Sequence, residues 1–501
     1  MPNPHLDALM ARFPHEGLTF DDVSLITQYA DFLPDEASVE SRFSRNINVH
    51  IPFVSAAMDT VTESEMAIAM AMAGGIGVVH KNLEEDRQAD EVRRVKSYLN
   101  GLIDHPVVFH SDMRLSELLA EKNRRQFKFT GFPILDRDGV LRGILTSRDI
   151  KFVTNPDVPV SEVMTTRLVT AKPGTTLIEA FAIMTREKVG KLPLVDEQGR
   201  LAGLYSYHDV KSISENIDPY INRDDHFKLR VAAAISPYDY SRMAKLIKAG
   251  ADAVVVDTAH GHSKGVVETV QSLKKEYPAV DVVAGNVASK EAGLALLRAG
   301  VDAIKVGVGP GSICTTRVVC GVGIPQLTAI YETYRAVAGE VPLIADGGIK
   351  YSGDVPKALA AGGDTVMMGS ALAGTLESPG EKILRQGRTY VVYRGMGSIE
   401  AMERGKGARE RYAQGHVKDR AKLVPQGIEG LVPYRGTVED VLTQFVGGLR
   451  FALGYCGTRN LAALRDHARF VRVSSAGLRE AHPHDIKIIK DAPNYTSENG
   501  E

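Results

Sequence analysis

Cysteine and tryptophan are scarce: the 501 residues include three cysteines and no tryptophan. Cys314, Cys320 and Cys456 cannot frame a disulfide-stapled chain of this length, and their spacing matches no zinc pattern, so a reducing cytosol is the expected setting. Net charge is nearly missing too, since 60 basic and 62 acidic residues leave a formal −2. No global field draws nucleic acid or an anionic membrane, so neither is an expected partner and any phosphate must be bound locally. No uninterrupted apolar run approaches the roughly 20 residues that span a bilayer. Residues 1–20 carry prolines and charges in place of a signal peptide. The expectation is a soluble cytoplasmic protein with one large domain and a smaller one.

What is present is a rhythm of short apolar runs, small or polar loops and helical segments. Candidate strands are 52–58, 77–80, 231–235, 253–257, 280–284, 303–306, 343–345 and 365–368, and candidate helices include 63–73, 84–98, 238–249 and 290–299. About eight strand–helix units, counted across a long interruption, predict an α/β fold of the (β/α)8 TIM-barrel type. Ligands of such barrels sit at the carboxyl ends of the strands. Those positions read Ser55, His80, Asp257, Gly285-Asn286, the 307–317 loop, Asp346-Gly347-Gly348 and Gly369-Ser370.

The 307–317 loop carries alternating glycines and ends near a thiol. Glycine tolerates positive φ and close approach of a ligand, so Cys314 is a candidate nucleophile; a small buried apolar residue is the plain alternative. The glycine loops after the last two strands suit a phosphate bound by backbone N–H groups.

The interruption, 92–223, contains an internal repeat. Phe132-Pro133-Ile134-Leu135-Asp136 to Asp149 returns about sixty residues later as Leu192-Pro193-Leu194-Val195-Asp196 to Asp209. Each copy reads as strand, Asp/Gly turn, strand and a capped helix start, at Thr146/Asp149 and Ser206/Asp209. This resembles a tandem cystathionine-β-synthase-type (CBS) pair, with copies at about 104–153 and 160–215. That resemblance implies purine nucleotide effectors. Past the last strand, 403–420 is too polar to bury a face and is expected to be a mobile flap within about 388–430.

Together these segments resemble the inosine 5′-monophosphate dehydrogenase family over nearly the whole chain. The resemblance rests on Gly309-Pro310-Gly311-Ser312-Ile313-Cys314-Thr315-Thr316, Asp346-Gly347-Gly348-Ile349, Met368-Gly369-Ser370, Tyr393-Arg394-Gly395-Met396-Gly397-Ser398, Arg411-Tyr412 and Lys422-Leu423-Val424-Pro425-Gln426-Gly427-Ile428-Glu429-Gly430. It implies a catalytic barrel from 1–91 and 224–501 with a regulatory CBS pair at 92–223. It also implies NAD-dependent oxidation of inosine 5′-monophosphate (IMP) to xanthosine 5′-monophosphate in guanine nucleotide synthesis. Cys314 would form a covalent thioimidate, and Thr316, Arg411 and Tyr412 would serve the water that releases it.

By the same resemblance Ser55, Met58, Ser312, Asp346, Gly348, Gly369, Ser370, Tyr393, Gly395, Met396 and Gln426 bind substrate. Asp257, Asn286, Gly307 and Gly397 bind NAD. K+ takes the carbonyls of Gly309, Gly311 and Cys314, with Glu480, Ala481 and His482 supplied from a neighbouring subunit, which implies a homotetramer and leaves an octamer open. Gln426 stands where many bacterial members have Glu, Ala413 where an aromatic often follows, and Ala481 where Ser is usual. Rivals are a GMP reductase with a CBS insert, against which the Arg411-Tyr412 flap argues, and a non-catalytic nucleotide sensor.

Overall fold

Eight of the short apolar runs close into a parallel barrel in the computed structural model, which describes residues 3–12, 16–98, 101–103, 106–124, 131–151, 153–215, 219–486 and 492–495. The strands are β1 (Phe53–Ser55), β2 (Ile76–Val79), β3 (Val231–Ile235), β4 (Ala253–Asp257), β5 (Asp281–Val287), β6 (Ala303–Val306), β7 (Leu343–Asp346) and β8 (Thr365–Met368). Closure comes from β8 pairing with β1, Val366 opposite Phe53 and Met368 opposite Ser55. All of β3, β4 and β6 is buried, as expected when helices cover the outer face and side chains fill the inner one. Small residues, among them Ala232, Ala234, Ala253 and Ala303, fill the interior with Val255, Val283, Ile344 and Met367.

The helices over the first two loops are Ser64–Met72 and Glu85–Ser97, and later ones include Tyr240–Ala249 and Lys290–Ala299. The last begins where the Ser289 hydroxyl accepts from Ala292 N–H and stops at Gly300, whose φ of 92° only glycine adopts freely. β5 runs three residues beyond its expected end. Its register shifts between Gly285 and Val287, which brings Asn286 to the mouth of the barrel. β7 likewise extends to Asp346.

The chain divides into two compact units, Met1–Lys96, Tyr220–Asn222 and Arg230–Glu501 in one, Ser97–Pro219 and Arg223–Leu229 in the other. In the first unit the residues flanking the insertion meet one carboxylate. Lys96 Nζ lies 2.9 Å from Asp252, and Arg230 Nη1 lies 3.8 Å from it.

The second unit holds two three-stranded sheets. One pairs Phe132–Leu135 with Leu141–Leu145 and Phe109–His110; the other pairs Leu201–Ser206 with Lys191–Val195 and Leu102–Ile103. The hairpins turn alike: Asp136 Oδ1 accepts from the N–H groups of Asp138 and Val140, and Asp196 Oδ1 from those of Gln198 and Arg200. They differ beyond the second strand. Thr146 donates through its N–H and its hydroxyl to Asp149, the reciprocal half of a capping box, whereas Ser206 accepts from Lys191 Nζ at 2.8 Å. The expected start of the first copy, at about 104, lies outside the described residues.

Of the segment 403–420, expected to bury no face, only Gly407 and Ala408 are buried, but they continue a buried stripe that begins just before it. The stripe lies on the helices Ile399–Arg404 and Lys406–Arg411, whose Ala401, Met402 and Ala408 are fully buried in a cluster with Met396, Met58, Tyr412 and Leu423. Average polarity concealed a narrow stripe of small residues that can approach the barrel closely. Among the described residues no helix is long and apolar enough to cross a membrane.

Candidate active site

The cavity at the carboxyl ends of the strands is built from residues scattered over the whole barrel. Met58 follows β1, Asp257 ends β4, Asn286 lies in β5, Gly307 to Cys314 follow β6, Asp346 ends β7 with Gly347-Gly348 after it, and Gly369-Ser370 follow β8. Tyr393, Gly395, Met396, Arg411, Tyr412 and Gln426 complete the lining from beyond the barrel.

Cys314 sits on a tight turn, its N–H donating to Gly311 O at 3.0 Å, with Gly309 at φ 78°. The thiol is 3.2 Å from the Thr316 hydroxyl, which in turn lies 3.0 Å from Gln426 Oε1. Thr315 N–H donates to Gln426 O, and Cys314 bridges to Gly427, so the 424–428 segment holds the cysteine turn in place. Thiol, hydroxyl and amide therefore form one line. Thr316 and Ser55 lie behind the cavity surface; Ser55 is fully buried, with Thr62 Oγ1 2.9 Å from its hydroxyl.

In the loop after β7, Gly347 and Gly348 have φ of 92° and 84°. A Cβ at Gly369 would stand 2.7 Å from the Tyr393 hydroxyl, so this glycine is required for close approach. Tyr393 is buried, its hydroxyl 3.8 Å from Met58 Sδ, and burial pushes its ionisation far above the ordinary tyrosine range.

The centre of charge is Lys305, which the sequence reading had passed over as part of an apolar strand. It is 1% exposed, and its Nζ lies 2.9 Å from Asp257 Oδ1 and 2.8 Å from Asp346 Oδ2, and contacts Asn286 Oδ1. Asn286 Nδ2 donates to Asp346 at 2.8 Å and to Gly307 O at 2.7 Å. One cation thus ties together three residues assigned separately to substrate and dinucleotide. A charge inside an otherwise apolar run was the available signal, since a lysine that deep must meet carboxylates.

The flap enters this network. Arg411 ion-pairs with Asp257 Oδ2, and its carbonyl accepts from Ala259 N–H at 2.9 Å. Tyr412 is packed against Gly397, and burial raises its ionisation. Beneath Asp257, buried Lys81 donates to the carbonyls of Asp257 at 2.5 Å and Ile235 at 3.2 Å; desolvation, with Arg411 nearby, holds its ammonium well below the usual lysine range. Glu480, Ala481 and His482 are not among the lining residues. His482 lies 3.1 Å from the Tyr495 hydroxyl and edge-on to Tyr351.

Residues 17–484 match the family model described as the IMP dehydrogenase / GMP reductase domain. The chain belongs to that family. Relatives named inosine-5′-monophosphate dehydrogenase are 51% identical in Aquifex aeolicus, over 96% of this chain and 98% of that protein, and 49% identical in Bacillus subtilis, over 97% and 99%. Another in Halalkalibacterium halodurans is 49% identical over 97% of this chain and 99% of its own. Among solved structures, a cysteine-to-alanine variant of GMP reductase from Trypanosoma brucei, in complex with guanosine 5′-monophosphate, superposes with a TM-score of 0.80. It is 36% identical and covers 94% of this chain and 98% of that one. Both branches of the IMP dehydrogenase / GMP reductase family are thus represented among the proteins it resembles.

Proposed function

We propose that the chain oxidises IMP to xanthosine 5′-monophosphate with NAD, a step of guanine nucleotide synthesis, through a covalent bond to Cys314. The observation that carries this reading is the Arg411-Tyr412 pair docked beside a thiol that already touches a hydroxyl. Cys314, as thiolate, adds to C2 of the hypoxanthine ring, and loss of hydride from C2 leaves a thioimidate; splitting the addition of water in this way lowers each barrier. Bound NAD supplies the hydride acceptor. Asp346 accepts hydrogen bonds from the ribose diol, and the Gly348 and Gly369-Ser370 loops receive the phosphate.

Asp257 suits the diol of the dinucleotide ribose in the same way, with Asn286, Gly307 and Gly397 around it. In the present structure Arg411 occupies its carboxylate, so dinucleotide and flap exclude one another. With the flap docked, Arg411, Tyr412 and Thr316 surround the water that attacks C2, expelling the Cys314 thiol and releasing product.

The turn at Gly309, Gly311 and Cys314 fits K+, because main-chain oxygens suit a hard cation and Gly311 O keeps a lone pair beyond its bond to Cys314. Glu480, Ala481 and His482 would complete that site from a neighbouring copy, in a tetramer or octamer. The 92–223 segment is read as a CBS pair taking purine nucleotides, and the cytoplasm as the place of action.

Incubation with IMP and NAD should produce NADH, faster with K+ than without. The solved GMP reductase favours a second reading, reductive deamination of GMP. Oxidation of NADPH with GMP, and no NADH from IMP, would replace the first reading by the second.

A further inference from the structure

The loop after β2 contributes a side chain that no motif points to. Asn82 is 7% exposed and every polar atom of its amide is used. Its Nδ2 donates to the Ala401 carbonyl at 3.0 Å and to Asp59 Oδ2 at 3.0 Å, and its Oδ1 accepts from Ala408 N–H at 3.0 Å. Ala401 and Ala408 belong to the two short flap helices, so one amide joins both of them to the barrel. The fit is close: a Cβ at Gly405 would collide with Asn82 Oδ1, and one at Gly407 with the Lys81 carbonyl.

The amide is also held from behind. Asp59 lies against Arg394, whose Nε is 3.0 and 3.1 Å from its two oxygens, and Arg394 Nη1 is 3.3 Å from Glu429 Oε2. Arg394 and Glu429 are partners in the sheet from which the flap departs and to which it returns. The flap therefore hangs from a neck at Arg394 and Glu429; Asn82 holds its first helix and the start of its second, while Arg411 on Asp257 and Glu410 on the Ser236 hydroxyl hold its far end.

We infer that Asn82 is a positioning residue, a clasp whose hydrogen bonds set how much of the time the flap is docked and Arg411 sits on Asp257. Its consequence for turnover rests on the reaction proposed above. In that reaction hydride loss needs the flap away and water attack needs it docked, so the clasp governs the second step alone.

The test uses the full chain and two variants, Asn82→Ala and Gly405→Ala; the second changes only the flap and leaves the barrel side chains intact. Removing two well-made hydrogen bonds should shift docking about tenfold. In rapid mixing with IMP and NAD, the first-turnover rate of NADH formation should stay within about twofold of wild type, while the steady-state rate falls about tenfold. Inhibition by excess NAD should set in at about tenfold lower concentration, because the flap competes less well. Trypsin should cut after the basic residues of 404–411 correspondingly faster, a readout independent of activity.

Equal losses in first-turnover and steady-state rates would show general damage and overturn the inference, as would wild-type proteolysis and kinetics in the variants. If the wild-type protein forms no NADH from IMP, the reaction assignment fails, and the trypsin comparison still decides the clasp.

Discussion

Arg411 and Lys305 share a single carboxylate: the flap arginine pairs with Asp257 Oδ2, while the barrel lysine lies 2.9 Å from Oδ1. Asp257→Asn keeps the shape and removes the charge, leaving Lys305 with Asp346 alone and Arg411 with a neutral amide. Breaking a buried pair from one side costs about 3 kcal/mol. Chemical denaturation should register a loss of that order, and NADH formation from IMP should fall at least about 100-fold, since the lost charge pair weakens docking of Arg411 as well as folding. A variant as stable and active as wild type would remove Asp257 from the centre of the site.

Gln426 accepts from Thr316, which touches Cys314. Gln426→Glu retains the acceptor and adds a titrating group whose ordinary pKa is about 4.3, raised by any burial. The steady-state rate of the variant should fall on acidification through that pKa, along a limb absent from wild type. Rate profiles of the two proteins that coincide from about pH 3.5 to 9 would separate Gln426 from water activation.

The three thiols differ in exposure, and burial pushes Cys456 up to about 11. At pH 8 its thiolate is then about one part in a thousand. A maleimide should modify exposed Cys320 first, Cys314 next and Cys456 last, and IMP should protect Cys314 selectively. Peptide mass analysis over time would reveal the order, and early labelling of Cys456 would contradict its burial.

Lys81 is buried with its ammonium pKa lowered, so the folded state binds fewer protons than the unfolded state between the depressed value and 10.5. Stability from this group is therefore lowest below the folded pKa, rises with pH through that window and is complete above 10.5. Lys81→Met removes the dependence. The stability of wild type relative to Lys81→Met should increase from pH 7 to 10 in thermal melts, and a flat difference would mean that Lys81 titrates normally.

The barrel was legible in the sequence because each strand is a short apolar run, buried on both faces, with a polar or glycine residue at its carboxyl end. Asp257, Asn286, Asp346 and Cys314 could be picked out by that position alone. Lys305 could not, because what stabilises it are carboxylates on β4 and β7 that only the closed sheet brings near. The docked flap escaped for another reason. Its buried stripe consists of Ala401, Met402 and Ala408, spaced by Gly405 and Gly407, and glycines and alanines count as a packing face only once the Lys81-Asn82 loop lies opposite. Asn82 itself, an asparagine in a loop, carries no pattern at all.

The meeting of Lys96 and Arg230 at Asp252 makes the intervening stretch a removable cassette. Both cut ends are moored to the barrel by their own ion pairs, and β2 and β3 pair directly without help from what lies between. Replacing 98–219 by a short glycine-serine linker, with Tyr220–Asn222 kept because they belong to the barrel unit and Asn222 donates to Gly75 O, should therefore yield a soluble barrel that still makes NADH from IMP, because the excised chain carries none of the residues that line the cavity. Any response to purine nucleotides should leave with it.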